Sequence, residues 1–448
     1  MSWTALLAAL ALPALLGLLG SGLAGVLAAP GDGALYRFTL YVMSGAVVLH
    51  VLLTLLDFAR VPWSPLLLIV LGAVLFALAR RFLPRNSSRA RLSSDFGWGE
   101  GIALFALAVF ILIALTGWIT MPDFVYHWGI KGKHFYLARG VDYSYLSKAW
   151  NWYTHPDYPN LVPELFAVTA LLAGGFDLPA MMLGTGVVFA LLLAATREGL
   201  RQGGVDRFTR QAGLALVALA IAAFGVGYQM AGAADWMLAL AAAAAVPPLL
   251  RPPDRTGDFQ IATAAAFAAA AKMEGVPLAG ILALVQLARR PWRLASERRP
   301  SLGAALRLGL PIAAVVLPWW GRMRYHHLAL AINSGPFRLS RAGTILRSVL
   351  ETLGTPEWHG FILAVFLPPL LLLHRRTRAF AAAATLQLLF YLFTYFTGGL
   401  EDVHFFVISN FARLAFQLVP ASLVAALVAW GEREAVEMER AGTSPAPT

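Results

Sequence analysis

The chain has 448 residues, 59% of them hydrophobic and only 13% charged, against a soluble norm of roughly 25% charged. It contains no cysteine, which excludes disulfides, thiolate nucleophiles and Cys-ligated zinc or iron–sulfur centres. A net charge of +11 admits nucleic acid or anionic lipid as partners until the positions of the charges are considered.

Apolar runs of about 14 to 25 residues recur from end to end, the length needed to cross a hydrocarbon core about 30 Å thick. Alanine and leucine dominate them, without the period-2 alternation of a membrane barrel. The pattern predicts an all-α polytopic membrane protein with about 12–14 transmembrane helices. Residues 1–95 form a unit of three apolar runs closed by the basic linker PRNSSRARLSSD. The first run, Trp3 to Ala29, lacks a basic n-region and reads as a retained helix rather than a signal peptide.

The run that starts near Glu100 ends at MPDFVYHWGIKGKHFYLARG, residues 121–140. Pro122 suits a first helical turn and Asp123 a helix N-terminus. Asp123, His127, Lys131 and His134 then recur at i, i+4, i+8 and i+11, beside an apolar face of Phe124, Trp128 and Phe135. That spacing predicts an amphipathic helix on the membrane surface, with its lysines reaching to water. It is followed by WNWYTHPDYPNLVPEL, where two prolines fix the backbone around His155, Asp157 and Tyr158, and Trp150, Trp152 and Tyr153 supply an interfacial belt. Residues 122–160 thus form a long first outer loop. Beyond it, Leu161–Gly174 and Pro179–Ala195 look like two crossings where the sidedness of the chain requires an odd number.

Arginine clusters fall between the apolar runs, at 80–91, 197–210, 251–255, 289–307 and 375–378, and the positive-inside rule places these loops in the cytoplasm. With Arg433 and Arg440 they hold 22 of the 35 basic residues, so the basic balance reports topology and nucleic acid is not needed to explain it. Between two such clusters, residues 258–289 fold as a hairpin with Lys272 and Glu274 at its outer apex. A single helix of that length would run about 48 Å and bury both charges in mid-bilayer. The same logic makes Asp235 the apex of 211–250 and places Arg322, Arg324 and the chain up to His359 outside, together with Glu401, Asp402 and His404. All four lysines and seven of the nine histidines then share one side. The end, 432–448, is a cytoplasmic tail whose GTSPAPT reads as disordered.

An acidic residue just after a transmembrane helix, then a HPDYP loop entering the next helix, resembles the GT-C glycosyltransferases. AADWMLAL, AAKMEGVPLA, LPWWGRMRYHH and HFFVISNFARLAFQLVP are similar to segments of bacterial members. These multi-spanning enzymes use polyprenyl-phosphate sugars and include bacterial protein mannosyltransferases and lipid A aminoarabinose transferases. The resemblance covers roughly residues 96–430 and implies a GT-C-like catalytic core over 96–431. It implies Asp123 as general base, with His127 and Asp235 completing the catalytic group. Lys131, Lys272, Arg322, Arg324 and Arg413 would face the donor phosphate, whose growing charge cations stabilise. His155, Asp157, Tyr158, Glu274 and His404 would contact substrate.

The expected function is therefore transfer of a sugar from a polyprenyl-phosphate carrier to a lipid, glycan or protein acceptor, on the outer face of a bacterial cytoplasmic membrane. Some family members set paired acids around a divalent cation. Here Phe124 and Val125 follow Asp123, so no obligatory metal or other cofactor is expected, although Asp, His and Glu from separate loops leave a divalent cation open. A transporter or flippase of lipid-linked glycans is the main alternative, and it predicts charges at broken helices near mid-membrane. An O-antigen ligase or polymerase is the other, and it calls for a long outer loop late in the chain.

Overall fold

The structure, a computed structural model, describes residues 2–83, 96–116, 122–223, 231–290, 299–330, 335–356 and 360–440. The linker 84–95, Met121, Arg293, Arg298, His359 and the segment 441–448 lie outside them. The described residues are helical with no β-strand, as an Ala- and Leu-rich membrane chain requires when each backbone polar group must be paired within its own segment.

Taken in order, the main helices are α1 (Trp3–Ser21), α2 (Ala34–Phe58), α3 (Pro65–Phe82), α4 (Trp98–Thr116), α5 (Gly129–Ala138), α6 (Leu161–Ala173), α7 (Leu178–Gln202) and α8 (Arg207–Ala223). They continue with α9 (Asp235–Leu250), α10 (Arg255–Ala271), α11 (Gly275–Ala288), α12 (Arg299–Tyr325), α13 (Ala342–Gly354), α14 (Arg378–Thr397), α15 (Val403–Phe416) and α16 (Val419–Arg440). Polar residues at the entries start several of them by accepting orphan amide protons. Ser64 caps α3 ahead of Pro65, Asp177 caps α7, Asp254 caps α10 and Asp402 caps α15.

Among the described residues, seven helices are long and apolar enough to cross a membrane, or up to eight if the bent pair α15–α16 is one span. That is fewer than the 12–14 expected, because several apolar runs are short helices. The 16 residues of α9 span only about 24 Å and the 13 of α6 about 20 Å. Of these, α6 ends at Gly174 in a left-handed turn, φ 76°, and α9 begins at the buried Asp235. The short α6 also answers the odd-number requirement over 161–195, since only α7 there is long enough to span.

Two ends of the bundle are chemically distinct. At one, Asp32 is fully buried and accepts from Arg251 Nη1 at 2.8 Å, Gln260 Nε2 at 2.8 Å and Gln202 Nε2 at 3.1 Å. Nearby, Asp258 takes Arg307 Nη2 at 2.8 Å and both oxygens bond Arg290. The arginine-rich loops therefore converge here, as their charge pattern predicts. From this end α2, α10 and α12 run in the same direction to the other, where Asp57, Lys272 and Arg322 lie. The hairpin apex expected at Lys272 and Glu274 is present, between α10 and α11.

The N-terminal helices are built into the same core. Tyr36 on α2 donates to the Ala244 carbonyl at 2.8 Å, and His50 Nδ1 lies 2.6 Å from Glu164 of α6. At the opposite terminus, helix continues to Arg440 where a tail was expected from 432. EREAVEMER is rich in strong helix formers.

The segment after Asp123 departs from the surface helix its spacing suggests. Phe124–Trp128 is a π-helical turn, closed by the Gly129 amide donating to the Phe124 carbonyl. Asp123, His127 and Lys131 face the same side of the segment, toward His155 and the bundle interior, whereas His134 turns off to Asp142. Lys131 is completely buried, with Phe124, Trp128 and Phe135, while Lys133 and Leu137 are exposed. The helix is sunk into the bundle on one side, and the snorkelling expected of Lys131 does not occur.

Candidate active site

Four separate segments deliver charge to one point at the end opposite the arginine-rich loops. Asp123 opens the π-helical turn, Asp235 begins α9, Lys272 and Glu274 form the α10–α11 apex, and Arg413 lies in the last turn of α15. Arg413 Nη2 donates both to Asp123 Oδ2 and, at 3.0 Å, to Asp235 Oδ2. Lys272 Nζ bonds Asp235 Oδ1 at 2.9 Å and Glu274 Oε1 at 3.3 Å. The order along the array is Asp123, Arg413, Asp235, Lys272, Glu274, with charges alternating in sign. Three carboxylates face two fixed cations, so the array carries one surplus negative charge.

Backbone geometry makes this convergence possible. Gly232, just ahead of Asp235, has φ of +82°, and a Cβ there would lie 2.7 Å from the Phe124 ring. Its amide donates to Thr185 Oγ1 at 2.8 Å, which fixes the turn. Only glycine takes that conformation cheaply and lets Phe124 bring Asp123 alongside. At the other apex, a Cβ on Gly275 would sit 1.9 Å from the Ala268 carbonyl, so glycine is needed for α10 and α11 to close at Lys272.

Exposure is lowest in the middle of the array and higher at both ends. Asp235 is fully buried and Lys272 6% exposed, whereas Asp123 is 13%, Glu274 18% and Arg413 23% exposed by side chain. The inner pair is a fixed anchor, and the outer groups are open to an incoming molecule. Glu274 Oε2 and Arg413 Nε are buried without a hydrogen-bond partner among the described residues, which leaves capacity on both outer groups.

Histidines and aromatics form the adjoining wall. His127 Nε2 is 3.9 Å from Asp123 Oδ1, and its ring lies 5.1 Å from that of His155, which stacks on Tyr158 at 4.5 Å. His155 holds a left-handed backbone, φ 50°, a strained state that persists where surroundings over-determine it. Lys131 contributes to this wall rather than to the array. Its ammonium sits 4.5 Å over Trp128 and donates to the His155 carbonyl at 3.1 Å. Burial pulls the Lys131 ammonium down to about 7, against the attraction of Asp157. Burial also lowers His127 and, with the cations nearby, brings His155 to about 3. Burial raises the Tyr158 hydroxyl well above its ordinary value. Both imidazoles are thus neutral near pH 7, and each has a buried Nδ1 without a partner among the described residues.

Of the residues singled out by sequence, Asp123, Asp235, Lys272, Glu274 and Arg413 meet in the array. His127, His155, Tyr158 and Lys131 line its wall. Asp157 is buried behind them and accepts Trp319 Nε1 on its carbonyl at 3.0 Å. Three others lie elsewhere. Arg322 is paired with Asp57 at 2.9 Å and donates to the Thr54 carbonyl at 2.6 Å. Arg324 stacks over Trp320 at 4.5 Å. His404 bonds Ser348 at 2.9 Å and approaches Glu351 at 3.8 Å. Each is drawn off by a local partner, so none reaches the array.

Sequence reasoning passed over Gln417, Gln387 and Tyr391. Gln417 Nε2 donates to Asp235 Oδ1, and its own carbonyl accepts the Tyr391 hydroxyl. Gln387 Nε2 donates to the Glu274 carbonyl at 3.0 Å. The available signal was an amide in an otherwise apolar stretch, four residues from Arg413 in one case and from Tyr391 in the other. Among the described residues no group of three or more His, Asp or Glu side chains has metal-holding geometry. No family model, curated protein or solved structure matches the chain.

Proposed function

We propose that the chain is an integral membrane glycosyltransferase that takes a sugar from a polyprenyl-phosphate carrier and uses Asp123 as general base. The observation that carries this reading is the meeting of Asp123, Arg413, Asp235, Lys272 and Glu274 from distant segments at one end of an apolar bundle. The resemblance of the Asp123 and HPDYP segments to GT-C enzymes supplies the reaction class.

Asp123 Oδ1, the oxygen turned toward His127, takes the proton of an acceptor hydroxyl. The hydroxyl oxygen attacks the anomeric carbon as the bond from that carbon to the phosphate oxygen breaks. The electron pair stays on the lipid phosphate, which gains a negative charge. Arg413, partly exposed and with Nε lacking a partner, is the donor best placed to receive that charge, since fixed donors stabilise charge where it develops. Asp235 and Lys272 hold Arg413 in place from the buried side. Glu274 and the neutral imidazoles of His127 and His155 provide hydrogen bonds for sugar hydroxyls.

A purified protein that consumes a polyprenyl-phosphate sugar and loses this ability as Asp123→Asn, with unchanged folding, supports the reading. Full turnover in that variant refutes the base assignment. One feature favours a second reading, a transporter of lipid-linked glycans. The α15–α16 pair bends by 49° immediately beyond Gln417, which bonds Asp235, and a broken helix beside a binding site is a transporter feature. Labelled lipid-linked sugar crossing proteoliposomes unconsumed would decide for it.

A further inference from the structure

At the same end of the bundle as the array, an open cavity of about 750 Å³ lies between the end of α2, the end of α5 and the last turns of α12. Arg60, Arg139 and Arg322 line it, with Asp57, Tyr143 and His326. The one carboxylate lining it among the described residues is already engaged. Asp57 accepts Arg322 Nη2 at 2.9 Å, the Tyr143 hydroxyl at 2.9 Å and the Val141 amide at 3.2 Å. Asp57 thus offsets one arginine and aims it.

The guanidinium groups of Arg60 and Arg139 have no ion-pair or hydrogen-bond partner among the described residues. Arg322 is 7% exposed, and its Nε is buried without a partner among them. The cavity therefore holds two uncompensated positive charges, where the Asp123 array has a surplus negative one. Arg60 and Arg139 also both hold left-handed backbone, φ 55° and 51°, at the ends of α2 and α5. Two strained turns each present an arginine to the same space. Membrane topology accounts for the arginines of the opposite end but not for these.

The rim indicates what the anion is attached to. Phe58, Leu317 and Tyr325, which also line the cavity, are 58%, 63% and 79% exposed. An opening edged by exposed apolar side chains suits an amphiphile better than a soluble ion, and arginine forks match phosphate oxygens in bidentate geometry. We propose that this cavity is a second binding site, for the phosphate monoester head group of a lipid, with Arg60 and Arg139 at its mouth and Arg322 at its base. The site is separate from the Asp123 array and does not depend on the transferase reading.

The test uses the full chain, delipidated in neutral detergent, and follows thermal unfolding and lipid retention by native mass spectrometry. Phosphatidic acid should raise the unfolding temperature and remain bound, whereas phosphatidylcholine and inorganic phosphate at equal concentration should not. Arg60→Gln with Arg139→Gln should weaken phosphatidic acid binding about tenfold or more. Their side chains are exposed and unpaired, so folding without lipid should be unchanged. Arg324→Gln, at the same end but outside the cavity, should bind as the wild type. Equal effects of phosphatidylcholine or of inorganic phosphate would overturn the lipid-phosphate assignment. Undiminished binding in the double variant, or loss in Arg324→Gln alone, would overturn the site.

Discussion

Asp235 and Lys272 form an ion pair of 2.9 Å in which the carboxylate is fully buried and the ammonium nearly so. Lys272 closes one helix and Asp235 opens its neighbour, so the pair locks two helix ends together. Removing one partner strands the other charge away from water, which typically destabilises by about 3–5 kcal/mol. Asp235→Asn should therefore lower the unfolding temperature sharply. The double variant Asp235→Asn with Lys272→Met should recover part of the loss, and a thermal double-mutant cycle measures the coupling. Additive losses would mean that the pair is not coupled.

Asp123 differs from Asp235 in being partly open, and its role in the proposed reaction is to remove a proton. Asp123→Asn keeps a hydrogen-bond acceptor for Arg413 and removes the base. Turnover of a polyprenyl-phosphate sugar should fall by about a hundredfold to ten-thousandfold, while the unfolding temperature falls much less than in Asp235→Asn. A rate assay paired with thermal unfolding separates the two effects.

Burial brings the Lys131 ammonium from 10.5 to about 7, and this has a definite sign for stability. Between those two values the unfolded chain carries a proton that the native protein lacks, so stability falls as pH is lowered through that window. Below about 7 both states are protonated and the loss levels off. The limiting slope is about 1.4 kcal/mol per pH unit. Lys131→Met should abolish this component, making the variant more stable than wild type near pH 7 and similar to it near pH 10. Unfolding temperatures of both proteins across that range provide the check.

At the α10–α11 apex, Gly275→Ala should be destabilising by about 1–3 kcal/mol, because its Cβ would meet the Ala268 carbonyl at 1.9 Å. Gly280→Ala, on the same helix with nothing within 4 Å of a Cβ, should be neutral or slightly stabilising. Comparing the two unfolding temperatures isolates the close approach from helix propensity.

The parts of this architecture visible in the sequence were those written as contrasts of charge against apolar runs. Lys272, Glu274 and Asp235 stand out as isolated charges between arginine-rich flanks, and the structure places them at helix ends on the side opposite those flanks. Arg322 was legible as a cation but not as a paired one, because its partner Asp57 lies in an N-terminal segment that carries no motif. His404 was likewise drawn away by Ser348, a hydroxyl with no sequence signal. Among the described residues fewer helices than expected are long enough to cross, because apolar composition does not record where a helix stops. Lys131 was misplaced because the segment is sunk into the bundle, so its ammonium meets the Trp128 ring and the His155 carbonyl instead of water.

That five-residue turn, Phe124–Trp128, has a mechanical consequence. It acts as an indexing joint between two elements with different obligations. The azimuth of α5 is set by its packing on α6, and the azimuth of Asp123 by its bond to Arg413. With the joint between them, each demand is met without rotating the other element out of register.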